Sequence, residues 1–246
     1  LRHNQMEMPD VQIAKGNVRF RYKGMTLRCD SAYFNEKDKW FKAFGLVHMT
    51  RPGGVTLDCR RMHYDGFAQM IHVVVREPGR SLRCDSLDYN MASKVANYFG
   101  GRGTLVYNGN TIVADQGDYN TDTHDANFFG NVVMRTPKYR INTPEAHGNT
   151  ATGLVHVVGK SVIRTSKGEV VHTNDGTYNS KTDYMELNGR STITSPRQDV
   201  EGDNIIYNSA TGDAEGHGSV KIVDKVNHRI ITGDNVFYNE KTGHSE

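Results

Sequence analysis

The chain has 246 residues, with 30 lysines and arginines against 28 aspartates and glutamates, and its formal charge at pH 7 is +2. Both signs are mixed along the sequence, which excludes the clustered basic stripe of a nucleic-acid-binding protein, and no stretch approaches the roughly 20 apolar residues of a membrane-spanning helix. The 25 glycines disfavour helices and favour short strands joined by turns.

The sequence repeats with a period near 30 residues. Each copy has an anchor residue, usually aspartate, followed four and five positions later by an aromatic residue and asparagine, as in Asp115 with Tyr119-Asn120. The eight anchors lie at positions 30, 60, 85, 115, 144, 174, 203 and 234, and the copies at 60 and 144 are degenerate. Most anchors are followed 15 residues later by glycine, as in Gly45 and Gly130. Such a repeat predicts one supersecondary unit per copy, stacked to share a core.

Each copy predicts two bent strands joined by a polar turn. Apolar residues alternate with polar ones on both sides of the anchor, as in Leu82/Cys84 and Leu87/Tyr89, but the phase changes at the anchor. When the alternation of apolar and polar residues continues but moves by one position, a bulge or a corner is predicted at that point. After the turn, alternation resumes and passes through the glycine, which falls in the inward phase. A glycine in the middle of a strand predicts a second bend there.

In chain order, the sequence begins in the second half of a copy around Gly16-Asn17-Val18 and stops 12 residues after the last anchor, Asp234. We therefore expect a single elongated domain over residues 1–246, truncated within a repeat at both ends. About eight hairpins would form a folded antiparallel slab of roughly fifteen strands. The alternative is a parallel β-solenoid, in which equivalent residues lie one strand apart, about 4.8 Å, rather than two.

The repeated motif resembles the OstA-like (organic solvent tolerance) family, from about Gly16 to the end of the chain. The resemblance implies an antiparallel β-jellyroll in the periplasm of a Gram-negative bacterium, and a non-enzymatic carrier that brings lipopolysaccharide or a related glycolipid to the outer membrane. Acyl chains would lie on the apolar inner face. It also implies joining to related jellyroll transport proteins through terminal strand edges, and head-to-tail self-association is a further expectation. The match is carried by Asp115-Gln116-Gly117-Asp118-Tyr119-Asn120 with Phe129-Gly130-Asn131-Val132, and by Gly202-Asp203-Asn204 with Gly218-Ser219-Val220.

For such a carrier, the inward positions nearest the middle of the slab are the candidate ligand-lining residues. Each buried acyl CH₂ contributes roughly 0.8 kcal/mol, and methionine adapts to chains of variable shape. An ordinary hydrophobic core is the alternative interpretation, because alternation of apolar and polar residues indicates which side chains are buried but not whether a ligand contacts them. The candidates are Tyr98, Phe128, Val132, Met134, Val157, Ile163, Met185 and Leu187.

No motif predicts catalysis. The sequence has no Gly-x-Ser-x-Gly elbow and no His-x-x-x-His or Cys-x-x-Cys spacing, so we expect no catalytic residue, no metal and no cofactor. A β-solenoid enzyme or adhesin acting on glycans stays the alternative function.

The three cysteines share one position of the repeat. Cys29, Cys59 and Cys84 each lie directly before an anchor, which places them on the inner face, about two strands apart in an antiparallel slab. That separation exceeds the ~7 Å limit between the Cα atoms of a disulfide. We therefore expect three buried, reduced thiols.

Overall fold

The computed structural model describes residues 2–3, 10–22, 24–50, 56–74, 82–84, 86–107, 109–208, 210–239, 241–242 and 244. Contacts divide the chain into two compact units, one of Leu1–Val106 with Gln116–Asp122, and the other of Tyr107–Asp115 with Thr123–Glu246. The expectation of a single domain over residues 1–246 stays a prediction. The anchor Asp85 lies outside the described residues. So does Val75, which occupies the place of the glycine 15 residues after the anchor at position 60.

The first unit is all-β in its described part. Its strands are β1 (Arg2–His3), β2 (Val11–Tyr22), β3 (Met25–Asn35), β4 (Trp40–Thr50), β5 (Thr56–Asp65), β6 (Met70–Val74), β7 (Leu82–Arg83), β8 (Ser86–Asn90), β9 (Val95–Phe99), β10 (Gly103–Tyr107) and β12 (Gln116–Asn120). The last residue of β10, Tyr107, is counted with the second unit.

The second unit is built in the same way. Its strands are β11 (Asn110–Ala114), β13 (Asp125–Arg135), β14 (Tyr139–Asn149), β15 (Leu154–Thr165), β16 (Val170–Asn179), β17 (Tyr184–Thr194), β18 (Gln198–Asn208), β19 (Asp213–Asp224) and β20 (Arg229–Asn239).

Neighbouring strands pair antiparallel throughout both units. In the second unit Phe128 of β13 faces Ala146 of β14, and Ala146 faces Val157 of β15. Equivalent residues of successive repeats, such as Phe128 and Val157, are therefore two strands apart. The antiparallel all-β jellyroll of bent hairpins is confirmed, and the parallel β-solenoid is wrong for the described strands.

The asparagine of the repeated motif closes the turn that follows it in most copies, and Asp65 does so between β5 and β6. The side-chain oxygen of Asn149 accepts hydrogen bonds from the backbone N–H groups of Ala151 and Thr152, both at 3.0 Å. An asparagine side chain that bonds its own backbone two residues on imitates a backbone turn. Further asparagines accept from the backbone two residues on in the same way, namely Asn90, Asn120, Asn179, Asn208 and Asn239.

The corner of each hairpin is a β-bulge at the repeated glycine. Gly45 and Leu46 of β4 together face the single residue Arg60 of β5, and Gly130 and Asn131 together face Pro144. Gly45 has φ +94° and Gly130 +74°, which glycine adopts without the cost other residues incur. The extra residue bends the strand, so each strand contributes one half to each of two facing layers, here called the two arms.

The glycine does not share the inward phase that the alternation suggested. The side-chain direction of Gly45 points at the carboxylate of Asp30, and Asp30 is exposed. Ala43 and Val47, on either side of the glycine, are both buried and keep the inward phase, so the outward direction is confined to the glycine and follows from its positive φ. The anchor residue and the glycine therefore lie together on the outer side.

Long strands are interrupted at or near the corner, which raises the number of described strands above the expected fifteen. The breaks that lie within described residues separate β9 from β10 and β11 from β12. The inner face between the arms holds the core, and Cys29, Cys59 and Cys84 are buried there as free thiols, as expected. In the described part, no helix is long and apolar enough to cross a membrane.

Candidate functional site

The eight sequence-predicted lining residues are all buried, none more than 7% exposed. Tyr98 belongs to the first unit, and the other seven belong to the second. In the second unit, Val132, Met134 and Ile163 lie on one arm because they follow the corner glycines of their strands. The opposite arm carries Phe128, Val157, Met185 and Leu187.

Large and small side chains alternate across neighbouring strands of the arm that carries Phe128. Phe128 faces Ala146, which in turn faces Val157. Leu187 faces Gly176 on one side, and a Cβ on Gly176 would lie 3.1 Å from Leu187 Cδ2. Such interdigitation is that of a packed core.

Tyr98 fills the space between the arms of the first unit. A Cβ placed on Gly103 of β10 would lie 2.3 Å from the Cε2 atom of the Tyr98 ring. Gly103 is itself buried, and its missing side chain leaves room for the ring. The arms therefore meet at this point of the first unit.

An open cavity of about 450 Å³ lies between the arms of the first unit, at strands β2 to β4. Its walls are largely apolar, and two exposed cations, Lys15 and Arg19, also line it. None of the eight predicted residues contributes to it. The full lining consists of Gln12, Ala14, Lys15, Gly16, Val18, Arg19, Phe20, Leu27, Ala32, Phe34 and Phe41.

Aromatic rings form one side of this cavity. The ring centroids of Phe20 and Phe41 are 6.0 Å apart, and those of Phe41 and Tyr64 are 5.4 Å apart. Phe20 is 38% exposed, which is unusual for a ring on an inner face. The signal that sequence reasoning missed is the combination of three phenylalanines with the small side chains Ala14 and Ala32, which cannot fill the space between them.

A second cavity, of about 290 Å³, lies in the second unit where the free ends of the two arms approach each other. This edge, opposite the corner, is here called the mouth. Lys138, in the turn between β13 and β14, donates hydrogen bonds to both carboxylate oxygens of Asp183, at 2.9 and 2.7 Å. Asp183 precedes β17 on the other arm, so this ion pair joins the arms.

Two tyrosines reinforce the junction at the mouth. The Tyr178 hydroxyl donates to Asp183 at 3.0 Å, and the Tyr139 and Tyr178 ring centroids are 4.6 Å apart. The hydrogen bond from Lys138 lowers the pKa of Asp183, which burial opposes, and the Tyr178 hydroxyl lowers it further. Burial raises the pKa of the Tyr178 phenol. The carboxylate at the junction is therefore held in its charged form.

Two buried hydroxyl pairs lie beside the corner of the second unit. Ser161 Oγ donates either to Thr143 Oγ1 at 2.8 Å or to the carbonyl oxygen of Gly159 at 2.7 Å. Ser191 repeats the arrangement with Thr173 Oγ1 at 2.9 Å. Buried hydroxyls without a partner are costly, and these pairs satisfy each other.

Histidines lie on the outer face. His63 and His72 face each other across β5 and β6, and His72 Nδ1 lies 2.7 Å from Asp88 Oδ1. Burial lowers the pKa of His63, and the nearby charge of Lys42 adds to the effect. Within the described ranges, no group of three or more histidine, cysteine or acidic side chains could hold a metal ion.

Two family models match the chain, and together they cover residues 1–213. The family model described as "OstA-like protein" matches residues 1–144, and the model described as "LptA/(LptD N-terminal domain) LPS transport protein" matches residues 111–213. No curated protein matches the chain. One similar solved structure is LptH of Pseudomonas aeruginosa, described as the LptA-homologous periplasmic component of the lipopolysaccharide transport device. It is 13% identical with a TM-score of 0.39, over 50% of this chain and 93% of that chain.

The first of these matches spans more than half of the 246 residues, and it includes the corners at Gly45 and Gly130. The chain belongs to the OstA-like protein family.

Proposed function

We propose that this protein is a non-enzymatic periplasmic carrier that contributes to the transport of lipopolysaccharide to the outer membrane, with acyl chains on the apolar inner face. The observation that carries the proposal is the open, largely apolar cavity between the arms of the first unit. The second family model, whose description names lipopolysaccharide transport, supports the same substrate class.

The cavity suits an acyl chain for a physical reason. Transfer of each CH₂ from water contributes roughly 0.8 kcal/mol, so a chain packed against Phe34 and Phe41 needs no directional contact to bind. Lys15 and Arg19 line the same cavity and are exposed. They could pair with phosphate groups of the ligand while the chain lies inside.

The eight inner-face residues, from Tyr98 to Leu187, belong to this proposal as the continuation of the acyl path within each unit. Their burial equally fits an ordinary core. Contact with acyl chains at these positions therefore requires the arms to separate, whereas the cavity at β2 to β4 is open already.

The strand edges support the proposed partners. Within the described residues, β20 pairs on one side only, with β19, and β1 covers only Gln12 and Ile13 of β2. Unpaired edges accept another strand by β-augmentation. Docking of related jellyroll transport proteins, and head-to-tail association of this chain with itself, would use these edges.

The experiment that tests the carrier function fills the cavity. We expect Ala32→Trp to weaken displacement of a fluorescent fatty-acid probe by lipopolysaccharide at least tenfold, because the indole occupies the space of the chain. Ala92→Trp, in the exposed turn before β9, is the control and should bind like the unmodified protein. Equal binding by both variants, or no binding by the folded unmodified protein, would overturn the proposal.

A further inference from the structure

The cavity at the mouth of the second unit has polar walls to which the proposed acyl path assigns no role. One wall is the turn that carries Ser166 and Lys167, and the facing wall includes Asp183. Met185, one of the eight inner-face residues, also lines the cavity and is 5% exposed. The cavity therefore adjoins the inner face on one side and opens to water on the other.

The walls of the cavity are fixed by contacts within the protein. Lys138 and Asp183 join the arms through two hydrogen bonds, and Ser166 N–H donates to the Lys138 carbonyl oxygen at 2.8 Å. The turn and the ion pair are thereby connected. A site held in shape before binding loses less entropy when a ligand arrives.

The polar groups of the lining are balanced in charge. Two cations, Lys138 and Lys167, oppose two carboxylates, Glu169 and Asp183. A site for a polyanion would have an excess of cations, which this one lacks. The lining instead offers both donors and acceptors, including the Thr165 hydroxyl, which donates to Glu169 at 3.0 Å.

Tyrosine rings complete the lining. Tyr139 and Tyr207 contribute to the cavity, and a tyrosine presents an apolar face together with a polar tip. A ring of a sugar has the matching surface, with hydroxyls around its edge and C–H groups on its faces. At about 290 Å³, the cavity is at the small end of the range of ligand pockets, about 300–1,000 Å³, which fits one sugar ring better than an oligosaccharide.

We propose that the mouth cavity binds a sugar ring of the head group of a glycolipid, whose acyl chain reaches the inner face beside Met185 when the arms separate there. This inference rests on the proposed carrier function and adds a polar recognition site to it. The hydroxyls of the sugar exchange hydrogen bonds with the turn at Ser166 and Lys167, and the chain leaves the cavity on the apolar side.

The test compares two amphiphiles with the same chain, dodecyl maltoside and dodecyl octaethylene glycol ether, as competitors of a fluorescent fatty-acid probe below their micelle concentrations. We expect the unmodified protein to prefer the maltoside, and Ser166→Ala/Lys167→Ala to reduce that preference about threefold to tenfold, as for the loss of one or two hydrogen bonds. Both substituted side chains are exposed in a turn, and circular dichroism would verify folding.

Arg197→Ala is the matched control, because Arg197 is an exposed cation in the next equivalent turn and does not line the cavity. It should keep the preference for the maltoside. Equal affinities of the two amphiphiles for the unmodified protein, or a preference that survives the double substitution, would overturn the sugar site alone. Failure of both amphiphiles and of lipopolysaccharide to displace the probe would overturn the carrier function as well.

Discussion

The side chain of Asp30 covers the backbone of Gly45 at the corner between β3 and β4. A Cβ placed on Gly45 would lie 2.5 Å from Asp30 Cβ and 2.0 Å from Asp30 Oδ2, and Leu46 N–H donates to the same oxygen at 3.2 Å. Because the Cβ of Asp30 is fixed by its backbone, no rotamer relieves the contact. The anchor and the glycine therefore form one structural unit, although they are 15 residues apart.

This contact predicts unequal costs at two corner glycines. Gly16 and Gly45 both have positive φ, +79° and +94°, and Asp30 lies between their strands, yet a Cβ on Gly16 would meet nothing within 4 Å. We expect Gly16→Ala to lower the free energy of unfolding by about 1–2 kcal/mol, the cost of the left-handed backbone. Gly45→Ala adds overpacking and should cost about 2–4 kcal/mol in total.

Urea denaturation of the two variants measures the difference. Asp30→Ala combined with Gly45→Ala should restore little stability, since alanine keeps the Cβ that lies 2.5 Å away. Equal losses for the Gly16 and Gly45 variants would show that the anchor does not constrain the corner.

The hydroxyl pair of Ser161 and Thr143 predicts energetic coupling. Ser161 is fully buried, and removal of one hydroxyl takes one partner from the other, although Ser161 Oγ keeps the carbonyl oxygen of Gly159 and Thr143 Oγ1 keeps that of Glu145. The lost contact alone costs about 0.5–1.5 kcal/mol. We expect Ser161→Ala and Thr143→Val to be less costly together than the sum of the single changes, by about 0.5–1.5 kcal/mol. A double-mutant cycle of unfolding free energies measures this term.

The equivalent cycle at Ser191 and Thr173 is an internal replicate, because the two pairs have nearly the same distances, 2.8 and 2.9 Å. Strict additivity at both pairs would contradict the role assigned to the hydroxyl contacts.

The buried thiols predict a titration at high pH. Burial raises the pKa of the Cys59 thiol from its ordinary value of 9.0 to about 12, and burial also raises that of Cys29. The folded protein thus favours the protonated thiol, and the resulting stabilisation is complete below pH 9 and is lost as the pH rises toward 12. Between pH 9 and 11, Cys59→Ala should lose less unfolding free energy than the unmodified protein does.

A thiol reagent provides the second measurement. At pH 8 we expect negligible reaction of the native chain, and three thiols per chain after denaturation, because the thiolate is the reactive form. Mass spectrometry that finds an intramolecular disulfide in the native protein would contradict the antiparallel spacing of the cysteines.

Several turn carboxylates predict loss of stability in acid. Hydrogen bonds from Asn227 lower the pKa of Asp224, and the hydrogen bond from Thr211 lowers that of Asp213. A carboxylate with a depressed pKa in the folded state stabilises the protein above its unfolded value, near 4, and this contribution disappears as the pH falls through the folded value. We expect unfolding free energy to decline from pH 5 to pH 2.

Asp224→Asn should make that decline shallower, since the amide keeps the turn geometry but does not titrate. Thr182→Ala, in an exposed turn, is the comparison and should leave the slope unchanged, because it removes no titrating group. The same slope for all three proteins would contradict the assignment of this pH dependence to Asp224.

The regular elements could be read from the sequence because their causes are local. The side chain of Asn149 closes its turn by accepting hydrogen bonds from backbone N–H groups two and three residues further on. Gly130 bends its strand through its own φ angle. The inward direction expected for the glycine was wrong because its positive φ turns that one residue outward, although Phe128 and Val132 on either side of Gly130 keep the inward phase.

The candidate site was predicted less well. Met185 does line a cavity at the mouth, but Tyr98 packs on Gly103, and the largely apolar cavity lies around Phe34 and Phe41. The alternation of apolar and polar residues identifies the inner face of each strand. It does not show whether the side chains from the two arms fill the space between them. That depends on pairs of residues whose volumes meet only after folding.

The hairpin repeat, its turns, its corners and the inward register of Cys29, Cys59 and Cys84 could be predicted from the sequence, because backbone preferences and alternation act over a few residues. The positions where the arms leave open space and where they touch are a property of the folded chain. Lys138 and Asp183 are 45 residues apart, and no local preference brings them together. Their contact follows from the bend and stacking of several strands, which together set the distance between the arms.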